Sequence, residues 1–108
     1  AHRMINTAGE LVAPPTVERA LRSLDEVSDA LVVGLPDERW GQIVAALIVA
    51  SPAGLAQASS LSAEALSETL CDSLAPWEKV RRVLVVEALP TTTTGKPDPV
   101  AAARLFQS

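Results

Sequence analysis

Residues 30–50 read ALVVGLPDERWGQIVAALIVA. Two apolar runs, Ala30–Val33 and Ile43–Ala50, flank a polar turn, and neither alternates apolar with polar side chains. Each is therefore predicted as a strand covered on both faces. Gly34 and Pro36 end the first run, and Pro36–Gly41 leaves room only for a tight connection around Asp37-Glu38-Arg39, so the two strands should be neighbours in one sheet. Trp40, between them, reads first as a packing anchor and second as a ligand contact.

Working outward, Pro14-Pro15 opens a helix with Thr16 or Pro14 near its cap, and Val17, Ala20, Leu21 and Leu24 recur at helical spacing to give one apolar face. Before it, Met4–Ala13 carries Gly9 between short mixed runs, the signal of a hairpin or an irregular loop. After the second strand, residues 51–61 (SPAGLAQASSL) are small and polar with Pro and Gly, and read as a mobile surface loop. Ser62 can cap a helix over 61–74 with Leu66, Leu70 and Leu74 as its buried stripe, stopped before Pro76. Val83–Val86 supplies a third strand. Leu89-Pro90 leads into four threonines, Gly95 and Lys96, and Asp98 caps a last helix with Pro99 in its first position and Ala101–Phe106 as its body. The order predicts an α+β fold: a small three-stranded sheet flanked by helices, with a short amino-terminal hairpin or loop.

The 108 residues, 48% apolar and 20% charged, amount to one domain over 1–108. About two-thirds of the unfolded surface of such a chain can be buried, enough for a core without staples but too little to wall in a large substrate cavity. A net charge of −4 argues against nucleic acid or an anionic membrane surface as partner. The densest basic cluster, Lys79, Arg81 and Arg82, has Glu78 beside it and reads as a solvated face rather than a phosphate-binding patch. One cysteine and one histidine exclude an internal disulfide, a cysteine-based metal site and a multi-histidine site within the chain. Cys71, inside the predicted 61–74 helix, is expected to be a buried small apolar side chain. The longest apolar run is too short to span a bilayer and no signal peptide opens the sequence, so no transmembrane segment and a reducing, cytoplasmic setting are expected.

One stretch stands out chemically: Thr91–Pro99, TTTTGKPDP. Pro97 disfavours helical dihedrals at Lys96, so the lysine is held extended just outside the final helix, at the end of a polar loop. An ammonium there suits a phosphate or carboxylate oxygen without proton transfer. An ordinary exposed turn lysine fits the same residues.

Resemblance adds to this. GLPDERWGQIVAALIV (34–49), VVEALPTTTTGKPDP (85–99) and MINTAGELVAPPTVERAL (4–21) occur in the order, and at the separations, of the carboxy-terminal domain of the adenylate-forming enzymes: acyl-CoA synthetases, nonribosomal adenylation domains and luciferases. The chain resembles that domain over nearly its whole length, and the LPDERWG and LPTTTTGK stretches are most similar to the acyl-CoA synthetase branch.

The resemblance implies a two-step ligase in which a carboxylic acid and ATP give an acyl-adenylate, and a thiol then takes the acyl group. It implies that Lys96, beside Gly95, bridges the substrate carboxylate and the ATP α-phosphate. It further implies that Ala8, Gly9 and Glu10 form the loop lining the pantetheine tunnel in the second step, although Ala8 stands where many members have another glycine. His2 falls at the interdomain hinge, where relatives carry aspartate or lysine, so residues 1–3 are either a hinge remnant or a cloning scar. Arg81 replaces a common proline, and Pro99 stands near where arginine is frequent; neither departure touches the lysine. Asp98 matches an aspartate found in part of the family, and helix capping accounts for it. The implied partners are a larger amino-terminal domain, which holds ATP and Mg, a carboxylic acid, and coenzyme A or a carrier protein docking near Arg81 and Arg82. On that reading the isolated chain is inactive. A non-catalytic interaction domain of ferredoxin-like shape is the other expectation compatible with the residues.

Overall fold

The two apolar runs form the centre of the sheet in the computed structural model of the chain, which describes residues 4–107. The elements are β1 (Ile5–Thr7), β2 (Glu10–Val12), α1 (Pro14–Arg22), β3 (Val27–Asp37), β4 (Gly41–Ala50), α2 (Pro52–Ala56), a 3-10 turn (Ala58–Leu61), α3 (Ala63–Thr69), a second 3-10 turn (Pro76–Glu78), β5 (Arg82–Val86) and α4 (Pro99–Leu105). β4 is the organising strand. It pairs antiparallel with β3 from Val27↔Ala50 to Asp37↔Gly41, parallel with β5 from Ala45↔Arg82 to Val49↔Val86, and antiparallel with β1 at Thr7↔Gly41. A parallel neighbour demands a long crossover. Residues 51–81, with α2 and α3, provide it.

The absence of alternation in β3 and β4 has its reason in two cores. On one face, Ala30, Val32, Val44, Ala46 and Ile48 pack with Val17 and Leu21 of α1 and Leu66 of α3. On the other, Leu31, Val33, Leu35, Ile43, Ala45 and Leu47 pack with Ala102 and Phe106 of α4. Each fully buried leucine in these layers, such as Leu21 and Leu47, contributes about 1.5–3 kcal/mol.

β3 borders the sheet, and its outward backbone groups would otherwise invite pairing with another chain. α1 covers them. The carboxylate of buried Glu18 accepts a hydrogen bond from the Val32 amide at 2.9 Å, and Arg22 donates to the Ala30 carbonyl at 2.9 Å. Leaving the Val32 amide unpaired in this setting would cost about 1–3 kcal/mol.

The predicted α+β order holds, with four refinements. The amino-terminal segment is a true hairpin, and because its β1 strand pairs with β4 the sheet has five strands rather than the three expected. Segment 51–61 is ordered into α2 and a 3-10 turn, because Ser51 caps α2 by accepting from the Gly54 amide and donates its own amide to the Glu26 carbonyl. The 61–74 helix is shorter than its apolar stripe suggests: Ser62 caps it as expected, but it ends at Thr69 and Leu70–Leu74 continue as turns. Cys71 is consequently exposed rather than buried. The cap of α1 is Ala13, with no side-chain hydrogen bond and Pro14 in the first helical turn, in place of Thr16 or Pro14 as cap.

Candidate functional site

Lys96 sits on a short loop whose shape is fixed by its own backbone. At its base the Asp98 amide donates to the Pro90 carbonyl at 2.9 Å, and Thr91 faces Pro97 in an isolated antiparallel bridge. Nearer the tip the Thr92 amide donates to the Lys96 carbonyl at 2.7 Å, and the Gly95 amide donates to the Thr92 carbonyl at 2.9 Å. Gly95 closes the turn with a φ of +86°, a conformation glycine adopts without strain. The Lys96 side chain is exposed and makes no ion pair among the described residues; the one ion pair among them joins Arg22 and Asp29. The result is a cation displayed on a stiff support.

Ala8, Gly9 and Glu10 lie elsewhere, at the β1–β2 turn. The strands pair Thr7 with Glu10, leaving a two-residue loop in which Ala8 has φ +53° and Gly9 φ +87°. Positive φ at both positions is the signature of the type I′ turn that suits the twist of a hairpin. The Asn6 side chain accepts from the Gly9 amide at 3.0 Å, and the Ala8 amide donates to the Trp40 carbonyl at 2.7 Å. That second bond ties the turn to the β3–β4 connection, where the Asp37 carboxylate accepts from the Arg39 and Trp40 amides. A Cβ at Gly9 would meet nothing within 4 Å. The space beside the tip is open.

Next to this turn is a cavity of about 290 Å³ lined by Thr7, Ala8, Glu10, Trp40, Trp77 and Arg81, among others. The Arg81 guanidinium lies 4.4 Å from the Trp40 ring centroid, within cation–π range, and Trp77 is 45% exposed. Flat aromatic faces with a guanidinium suit a planar, anionic ligand. Trp40 packs against the second core, as expected of an anchor, and its ring also lines the cavity. Sequence reasoning weighs Arg81 only as part of the basic cluster and does not single out Trp77, because only the fold brings the two beside Trp40; an isolated Pro-Trp after a helix gives no such signal.

No hydrogen bond or ion pair joins the Lys96 loop to the Ala8–Glu10 turn among the described residues; the two are separate loops. The hinge position His2 lies outside the described residues. Among those described, no group of three His, Cys, Asp or Glu side chains is placed to hold a metal ion, and no helix is long and apolar enough to cross a membrane.

Residues 16–96 match the family described as the AMP-binding enzyme C-terminal domain. The chain belongs to that family. Relatives of this AMP-binding C-terminal domain include a long-chain-fatty-acid–CoA ligase of Mycobacterium tuberculosis, 36% identical over 93 residues, which are 86% of this chain and 17% of the relative. A 4-chlorobenzoate–CoA ligase of Pseudomonas is 37% identical over 93 residues, again 86% and 17%. Among solved structures, a fatty acyl CoA synthetase of Mycobacterium tuberculosis superimposes with a TM-score of 0.82 at 32% identity, covering 96% of this chain and 20% of that one. An amide bond synthetase of Marinactinospora thermotolerans gives 0.85 at 30% identity, covering 97% and 20%. The chain thus spans about a fifth or less of the length of the proteins it matches, and a larger partner domain is implied.

Proposed function

We propose that this chain is the mobile carboxy-terminal domain of an ATP-dependent acid–CoA ligase, supplying Lys96 to the first half-reaction and the Ala8–Glu10 turn to the second. The observation that carries the reading is the geometry of Lys96: an exposed ammonium without an ion-pair partner among the described residues, on a loop closed by three backbone hydrogen bonds, within a chain of this family. In the first step a substrate carboxylate oxygen bonds to the α-phosphorus of ATP and pyrophosphate departs. Both reactants are anions. A fixed cation between them offsets their repulsion and stabilises charge in the transition state, with no proton transferred to or from the lysine. The larger amino-terminal domain holds the acid, most of the ATP and its magnesium.

In the second step the thiol sulfur of coenzyme A attacks the acyl carbon and AMP leaves. Because the turn and the lysine lie on separate loops, rotation of the domain about its hinge presents them in succession. Open space beside Gly9 allows a thin chain to pass close to the backbone. The neighbouring cavity, with Trp40, Trp77 and Arg81, suits the nucleotide end of the same molecule. That favours coenzyme A over a carrier protein as acceptor. The relatives' names span long-chain fatty acids and 4-chlorobenzoate, so the substrate class is a carboxylic acid, in a cytoplasmic setting where ATP and coenzyme A are at hand.

In the intact protein, Lys96→Ala should abolish acyl-adenylate formation, read as pyrophosphate release, while sparing thioester formation from supplied acyl-adenylate. Equal loss of both half-reactions, or loss of neither, would rule out this role for the lysine.

A further inference from the structure

Asp98 makes more contacts than a helix cap requires. Its carboxylate oxygen Oδ1 accepts from the Val100 and Ala101 amides, each at 3.1 Å, which caps α4. Its own amide donates to the Pro90 carbonyl at 2.9 Å, which closes the base of the Lys96 loop. One residue therefore joins two structures: the loop that displays the ammonium and the helix whose Ala102 and Phe106 are buried in the second core. The far end of α4 is held as well, since the Arg82 guanidinium lies 5.3 Å from the Phe106 ring centroid and donates to the Phe106 carbonyl. Between that clamp and the loop, Asp98 is a connection through which core packing can fix where the lysine stands; Leu89, packed on the same core, anchors the loop's other end. Without the carboxylate the first turn of α4 loses its cap, and the Asp98 amide bond to Pro90, with the Thr92–Lys96 bond beyond it, is left beside a looser helix end.

We infer that Asp98 is a positioning residue for Lys96, acting by locking the lysine's loop to the buried helix α4. The inference rests on the adenylation role given to Lys96 above. A displacement of about 1 Å at a reacting centre can cost on the order of a hundredfold in rate, so a loosened loop need not unfold anything to be seen. The role depends on a hydrogen-bond acceptor of the right reach and not on charge. Asparagine, an N-cap as good as aspartate, should therefore replace it.

The test uses the intact enzyme with Asp98→Ala, Asp98→Asn and Lys96→Ala side by side, measuring the two half-reactions separately together with amide hydrogen exchange. Asp98→Ala is expected to lower kcat for adenylation about tenfold or more while KM for ATP and acid, and the rate of thioester formation from supplied acyl-adenylate, stay within about twofold. Exchange at the Thr92 and Gly95 amides should quicken, with the Val32 amide in the other core unchanged, and Asp98→Asn should restore both adenylation and protection. If Lys96→Ala leaves adenylation intact, the role of the lysine fails and the inference falls with it. If Lys96→Ala abolishes adenylation but Asp98→Ala does not slow it, the inference fails alone. It also fails if Asp98→Ala depresses both half-reactions equally, or if Asp98→Asn is as impaired as Asp98→Ala.

Discussion

At the residue scale, Ala8 and Gly9 form an unequal pair. Both hold positive φ, at +53° and +87°, but only glycine does so freely; an L-residue in the left-handed region costs about 1–2 kcal/mol. The Ala8 amide, donated to the Trp40 carbonyl, offsets part of that cost and ties the turn to the β3–β4 connection. Gly9 is the residue to test. A bulky β-branched residue would strain the backbone and blur the result, whereas asparagine tolerates left-handed dihedrals, and the space a side chain would enter is empty. Gly9→Asn in the intact enzyme should therefore leave adenylation near its normal rate and slow thioester formation severalfold or more, with the apparent KM for coenzyme A raised. Unchanged kinetics in the thiol step, with the variant folded, would remove Gly9 from the proposed pantetheine path.

At the scale of elements, β3 and β4 are legible in the sequence because a strand buried on both faces must be a continuous apolar run, and Ala30–Val33 and Ile43–Ala50 are such runs; β5 is legible as the apolar, β-branched run Val83–Val86, although Val85 is exposed. The final helix is legible from Asp98-Pro99, and the loop-tip lysine from Gly-Lys-Pro, since these are local rules acting over a few residues. What is not legible depends on partners distant in the chain. Arg81 meets Trp40 only through the β4–β5 pairing, and Cys71 is exposed because α3 stops short of its own apolar stripe. Pro52-Ala53-Gly54 looks like loop, yet α2 forms there because it packs its glycine against the chain before β3. A Cβ on Gly54 would overlap the Glu26 carbonyl oxygen and also press the Ala50 side chain. Helix propensity alone favours alanine over glycine by about 1 kcal/mol. The backbone clash should outweigh it, so Gly54→Ala is expected to destabilise the domain by about 1–3 kcal/mol, read from the denaturant midpoint at unchanged m-value. A more stable variant would mean that α2 can lift from Glu26 without cost.

At the scale of the whole molecule, folding and chemistry have different requirements. Both sheet faces are covered from within the chain, by α1 and α3 on one side and α4 on the other, and α1 satisfies outward backbone groups of β3 at Val32 and Ala30. The 108 residues are therefore expected to unfold as one cooperative unit, with coincident transitions by circular dichroism and tryptophan fluorescence. Chemistry has no such completeness. The Lys96 loop presents its cation at the surface, and the chain spans only 17% of a long-chain-fatty-acid–CoA ligase to which it is 36% identical. Electrostatic stabilisation is effective where the reacting groups are already held and water is excluded, and a lone surface ammonium in bulk solvent has neither advantage. The isolated chain should thus fold and yet form no acyl-adenylate, measured as acid-dependent pyrophosphate release from ATP across a panel of carboxylic acids. Release above background that disappears in Lys96→Ala would show that this domain holds its substrates by itself, and would overturn the division of labour between a mobile lysine-bearing domain and a larger one that binds.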